Sequence, residues 1–209
     1  MTEVKSFKSQ ISNTLQSSFL VSIIGFLTTI LISRVLGVEL RGEYTLLTTL
    51  PSIIVTLGRF GFAHSIVYNI NVSDKNKVIY TSFFISIIAG LLLMLLTLIG
   101  IKLFSFQTLE NLKFEYLIIS STLIPLFFIS DVLFGSLQGL KKIYFRNSIY
   151  NLQAFCTLIL SLVVAFFWGN NGLPFFLLAS AFSYLLVILL SIRNIGVDHF
   201  LSHSFFCIK

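Results

Sequence analysis

The chain has 209 residues, 56% of them hydrophobic and only 11% charged, with a formal net charge of +6. An average soluble domain carries about 25% charged residues, so a water-exposed surface could not be covered and a soluble fold is excluded. A mean hydropathy of +0.96 points instead to an integral membrane protein. The positive charge does not indicate nucleic acid, because no basic stretch is interleaved with aromatics on a soluble face.

Six apolar runs follow one another at about residues 15–35, 44–70, 78–101, 116–138, 148–168 and 173–192. Each is near or above the roughly 20 residues that cross a hydrocarbon core of about 30 Å, so the sequence predicts an all-α six-helix membrane bundle forming one domain over residues 1–209. Lys5 and Lys8 precede the first run as in a signal peptide, but the run is long and lacks a small-residue cleavage site, so it is expected to be retained. In the second run Pro51 removes a backbone donor. A bend is expected near the preceding turn, where a neighbouring helix or water must meet the freed carbonyl. Pro125 gives the fourth run a similar weak point. Asn170-Asn171-Gly172 carries no charge and reads as a tight turn between the last two helices.

With Arg34, at the outer edge of the first run, counted among the loops, Lys and Arg outside the runs divide nine to four. One side holds Lys5, Lys8, Lys75, Lys77, Lys141, Lys142, Arg146, Arg193 and Lys209; the other holds Arg34, Arg41, Lys102 and Lys113. Positive loops stay in the cytoplasm, which predicts that both termini and the loops near Asp74 and Lys141 are cytoplasmic. Cys156 and Cys207 are too few and too far apart for a disulfide framework or a zinc site. His199 and His203 are spaced as helical metal ligands would be, yet no acidic or third imidazole ligand stands nearby, so they read as part of a surface tail. No metal or cofactor is expected. No phosphate loop, nucleophile elbow or zinc-protease motif occurs, and a single carboxylate lies within the runs, which argues against an enzyme.

Two charges fall inside the runs, Arg59 and Asp131. Each lies roughly 22 Å from the outer start of its helix. A lone charge at such depth costs at least about 2.5 kcal/mol, so the two should face each other or a wet cavity. Arg59 is the candidate for contact with an anionic substrate. Asp131 is its partner, either as a coupling-ion site or as half of a structural ion pair. His64 is a second candidate for substrate contact, with a hydrogen-bonded packing role as its alternative. Gly58 and Gly61, with Ala63, bracket Arg59 and would let another helix or a substrate approach the backbone. Gly135 and Gly139 form a G-x-x-x-G that suits close packing or self-association.

The order Ser33-Arg34-Val35-Leu36-Gly37, Arg41-Gly42-Glu43-Tyr44, Leu57-Gly58 and Gly61 resembles the polysaccharide flippases of the MATE-like superfamily, the O-antigen and teichuronic-type exporters. Leu137-Gln138-Gly139-Leu140-Lys141-Lys142, with Asn147 beyond it, resembles the cytoplasmic turn of the same family. The resemblance implies a bacterial inner-membrane protein that carries undecaprenyl-diphosphate-linked oligosaccharide to the outer leaflet by alternating access. It also implies that a cationic residue, here Arg59, meets a diphosphate or an acidic sugar. Such proteins have about twelve to fourteen spans in two six-helix lobes. This chain matches the first lobe, and the expectation is a truncated product or a lobe completed by a second lobe or a second copy. A cation-coupled drug or metabolite antiporter of the same superfamily and a membrane-embedded glycan-synthesis subunit are the alternative readings.

Overall fold

The computed structural model describes residues 2–104 and 112–196, with side chains described for 10–103, 112–169 and 172–196. Every regular element among these residues is helical. A chain in lipid must pair each backbone N–H and C=O, and an α-helix does so within its own segment. In chain order the elements are α1 (Thr2–Gly58), α2 (Phe62–Val72), α3 (Lys75–Phe104), α4 (Phe114–Ser121), α5 (Leu123–Gly139), α6 (Ile143–Trp168), a 3₁₀ turn (Gly169–Gly172) and α7 (Leu173–Ile195).

The connection between the first two apolar runs shrinks to one residue. Gly37 alone leaves helical geometry, at φ 74° and ψ −175°, a region that residues with a Cβ avoid. A straight helix of 57 residues would measure about 86 Å, nearly three times the hydrocarbon thickness. The chain instead folds back at Gly37. Ile24 and Thr45 line one cavity, whereas a straight rod would hold them about 30 Å apart. The first arm buries Ser17, Ile24, Thr28, Ile32 and Leu36, a stripe at spacings of four and seven, and exposes Phe19, Ile23 and Phe26 on the other side.

In the second arm a neighbouring helix meets the carbonyl that Pro51 frees, as expected. Pro51 stays inside α1, and the carbonyl deprived of its intrahelical donor, that of Leu47, accepts a hydrogen bond from the Ser120 hydroxyl on α4. The interruption falls eight residues later, at Arg59–Gly61. Phe60 and Gly61 have φ of 37° and 76°, and Gly58 and Gly61 are the residues with least to lose by leaving a helix there. The fourth run is interrupted at Thr122, between α4 and α5, one turn before Pro125. A missing N–H and a ring clash make that turn weak.

Helix α5 is the centre of the bundle, packed against α2, α3 and α7, while α1 lies along α6 and α6 along α7. One apolar core, including Ile70, Ile79, Leu137, Ile149 and Ile195, gathers the α2–α3 and α5–α6 connections and the end of α7. A second, including Leu36, Leu47, Leu117, Leu173 and Phe176, gathers the opposite helix ends. At the first of these ends α1 and α6 are joined by polar contacts: Asn147 Nδ2 donates to Asn13 Oδ1 at 2.8 Å, and the Ser17 hydroxyl donates to Asn151 Oδ1 at 2.6 Å. Helix α3 contributes little to the interior, and Ile88, Leu92, Leu95 and Ile99 are exposed along it as a surface for lipid. Helix α7 runs to Ile195, three residues beyond the expected end, and Asp198, His199, His203 and Cys207 lie outside the described residues.

Candidate functional site

Two breaks in sequence regularity build the site. The interruption after Gly58 lifts Arg59 off the helix end, and its guanidinium Nη1 donates to Asp131 Oδ2 of α5 at 2.7 Å. The two side chains remain 43% and 34% exposed, so the pair lies on an open face of the bundle. Asp131 sits on α5 in register with two stripes. Gly135 and Gly139 follow it at i+4 and i+8, while Phe127 and Phe134 flank it at i−4 and i+3.

The glycine stripe fixes where Arg59 can go. A Cβ on Gly135 would stand 3.0 Å from the Ala63 carbonyl oxygen, and one on Gly139 would stand 2.9 Å from Ile70 Cδ1. The G-x-x-x-G therefore holds α2 against α5 within the chain, which accounts for it without self-association. At Gly58 a Cβ would meet Leu93 of α3 at 2.6 Å, so the end of α1 lies tight on α3. Gly61 has open space around it and is there for its left-handed backbone.

The aromatic stripe points the other way. Phe127 lies 4.4 Å, ring to ring, from Tyr184 of α7, and Phe134 lies 6.1 Å from Tyr150 of α6. The carboxylate thus stands between the Arg59 break and a wall of tyrosines. His64 is exposed on α2 and makes no hydrogen bond or ion pair with Arg59 or Asp131 among the described residues.

Behind the tyrosines is a cavity of about 490 Å³ between the two arms of α1, α6 and α7. Thr28, Thr48, Tyr150, Gln153, Thr157 and Tyr184 give it polar walls. Reasoning from single intramembrane charges does not find it, since none of these residues is charged. The signal lies in spacing: Tyr150, Gln153 and Thr157 recur at i, i+3 and i+7, a polar stripe within an apolar helix.

Among the described residues the bundle is helical and holds a charge pair, a broken helix and a polar cavity. A family model described as "Polysaccharide biosynthesis protein" matches residues 8–207. The chain belongs to that family. No curated protein and no solved structure matches it. Membership in the polysaccharide biosynthesis family, with five helices among the described residues long and apolar enough to cross a bilayer, the first of them folded back at Gly37, makes it a multi-pass membrane protein of polysaccharide synthesis.

Proposed function

We propose that the chain moves undecaprenyl-diphosphate-linked oligosaccharide from the cytoplasmic to the outer leaflet of a bacterial inner membrane, facing a second six-helix unit or a second copy of itself. Both termini and the α2–α3 and α5–α6 connections lie on the cytoplasmic side in this reading, as their lysines and arginines favour. The carrying observation is the openness of the Arg59–Asp131 pair. A charge pair left a third or more exposed cannot face hydrocarbon cheaply and needs a wet or protein surface opposite it.

Nη1 of Arg59 is held by Asp131, and the other guanidinium N–H groups form a planar fork suited to phosphate oxygens. The helix breaks at the same place, at residues 59–61, and a break at membrane depth is tolerated only where it lines a cavity or meets protein. With its one intramembrane acid already engaged by Arg59, the site gives less support to cation-coupled antiport.

Depleting the protein in cells that build their surface glycan through it should leave lipid-linked oligosaccharide in the cytoplasmic leaflet. The sugar would then resist a membrane-impermeant oxidant added outside, and surface glycan would fall at least tenfold. Undiminished appearance of the lipid-linked sugar in the outer leaflet would refute the assignment.

A further inference from the structure

The polar cavity between the arms of α1, α6 and α7 has no part in the charge pair, yet it shares a wall with it. Its volume of about 490 Å³ falls within the roughly 300–1,000 Å³ of small-molecule sites. Gln153 of α6 lines this wall beside Tyr184, at 7% exposure. Its carbonyl oxygen Oε1 is buried with no hydrogen-bond partner among the described residues. A buried amide oxygen without a partner is costly, and a ligand or water in the cavity would complete it.

The lining selects the class of ligand. Among the described residues no carboxylate lines the cavity and Arg41 is the one charged side chain that does, so the lining does not favour a cation; Thr28, Thr48 and Thr157 add hydroxyls. Ile24, Ile32 and Ala154 supply apolar wall between these groups, beside the rings of Tyr150 and Tyr184. The threonine hydroxyls donate to carbonyls of their own helices and leave acceptor lone pairs for the cavity; with the Gln153 amide, the Arg41 donors and the aromatic faces they match a sugar ring, whose edge carries hydroxyls and whose faces carry C–H groups.

We propose that this cavity binds one neutral sugar residue of the lipid-linked glycan, the one next to the diphosphate, with Gln153 Oε1 as the acceptor that fixes it. The inference rests on the flippase reading for the identity of the glycan. Tyr184 connects the two sites: it lines the cavity with Gln153, and its ring packs 4.4 Å from that of Phe127, one turn before Asp131 on α5. A diphosphate at Arg59 would thus place its first sugar toward the cavity.

The test uses the whole chain in lipid nanodiscs and saturation-transfer NMR with a panel of neutral monosaccharides, N-acetylglucosamine and galactose among them. Saturable binding of at least one sugar, weakened tenfold or more in Gln153→Leu and in Tyr184→Phe, supports the site. The second variant keeps its ring against Phe127 and guards against a misfolded first one, which circular dichroism would also reveal. Absence of saturable binding across the panel, binding unchanged in both variants, or displacement of the sugar by inorganic phosphate overturns it. A protein that exports glycan and binds sugar equally well with and without Gln153 sinks the cavity alone. Sugar binding lost in Gln153→Leu, in a protein whose depletion leaves the leaflet distribution unchanged, sinks the flippase reading alone.

Discussion

Replacing Arg59 with alanine is expected to reduce surface-glycan export at least tenfold, with a reduced but measurable amount of protein in the membrane. Two separate losses produce this result. The guanidinium groups that would meet the diphosphate disappear, and Asp131 is left as an uncompensated carboxylate within the bundle. An unpaired charge at mid-bilayer depth costs about 2.5–3.5 kcal/mol on insertion scales, and less where water reaches it. The losses separate in the double variant. Arg59→Leu with Asp131→Leu strands no charge, so its membrane level should exceed that of either single leucine variant while export stays absent. Quantitative blotting of membranes beside a surface-glycan assay reads both effects. Wild-type export in Arg59→Ala would remove Arg59 from the site, and equal levels for all three leucine variants would show that the contact between Arg59 and Asp131 is energetically idle.

The second large effect is structural and lies away from the charges. Gly90 of α3 is buried, and a Cβ there would come within 2.8 Å of Pro125 Cα and 3.1 Å of Pro125 Cβ. Backbone cannot swing aside as a side-chain terminus can, so Gly90→Leu must push α3 off the central helix α5 just beside the interruption at Thr122. Overpacking of this kind costs about 1–3 kcal/mol or more. A clear fall in the melting temperature of the purified protein is expected, with a smaller fall for Gly90→Ala. Gly100, which has no atom near its own absent Cβ, is the control: Gly100→Leu should melt close to wild type. Equal melting of all three would mean that α3 and α5 do not approach as described.

The charge pair was readable from sequence because hydrocarbon makes a charge costly, so each intramembrane ion must be explained by a partner. Arg59 and Asp131 stand out for that reason alone, and the structure joins them. The effect of Pro51 was half readable: its ring frees a carbonyl, which Ser120 satisfies, and that rescue lets the helix continue. The position of the real break depended on Gly61 adopting a left-handed backbone beside Arg59, a choice that tertiary packing makes and local composition merely permits. The G-x-x-x-G was visible, but its partner was not, because a small-residue stripe fits a neighbour in the same chain as well as one in another. The cavity was the least legible feature. Threonine, tyrosine and glutamine are tolerated in many apolar helices, and only the fold-back at Gly37 brings Thr28 and Thr48 to the same space as Gln153.

The proposed path requires the Arg59–Asp131 face to open onto water rather than lipid, and thiol accessibility measures this directly. With Cys156 and Cys207 changed to serine, Arg59→Cys is combined with Asp131→Asn so that no charge is stranded, and Leu95→Cys, on the exposed face of α3, serves as the lipid-facing reference. A membrane-impermeant thiol reagent should modify the cysteine at position 59 at least tenfold faster than the one at position 95 in membranes of intact orientation or their inverted vesicles. Equal, slow modification at both positions would place the pair against lipid and contradict the proposed path.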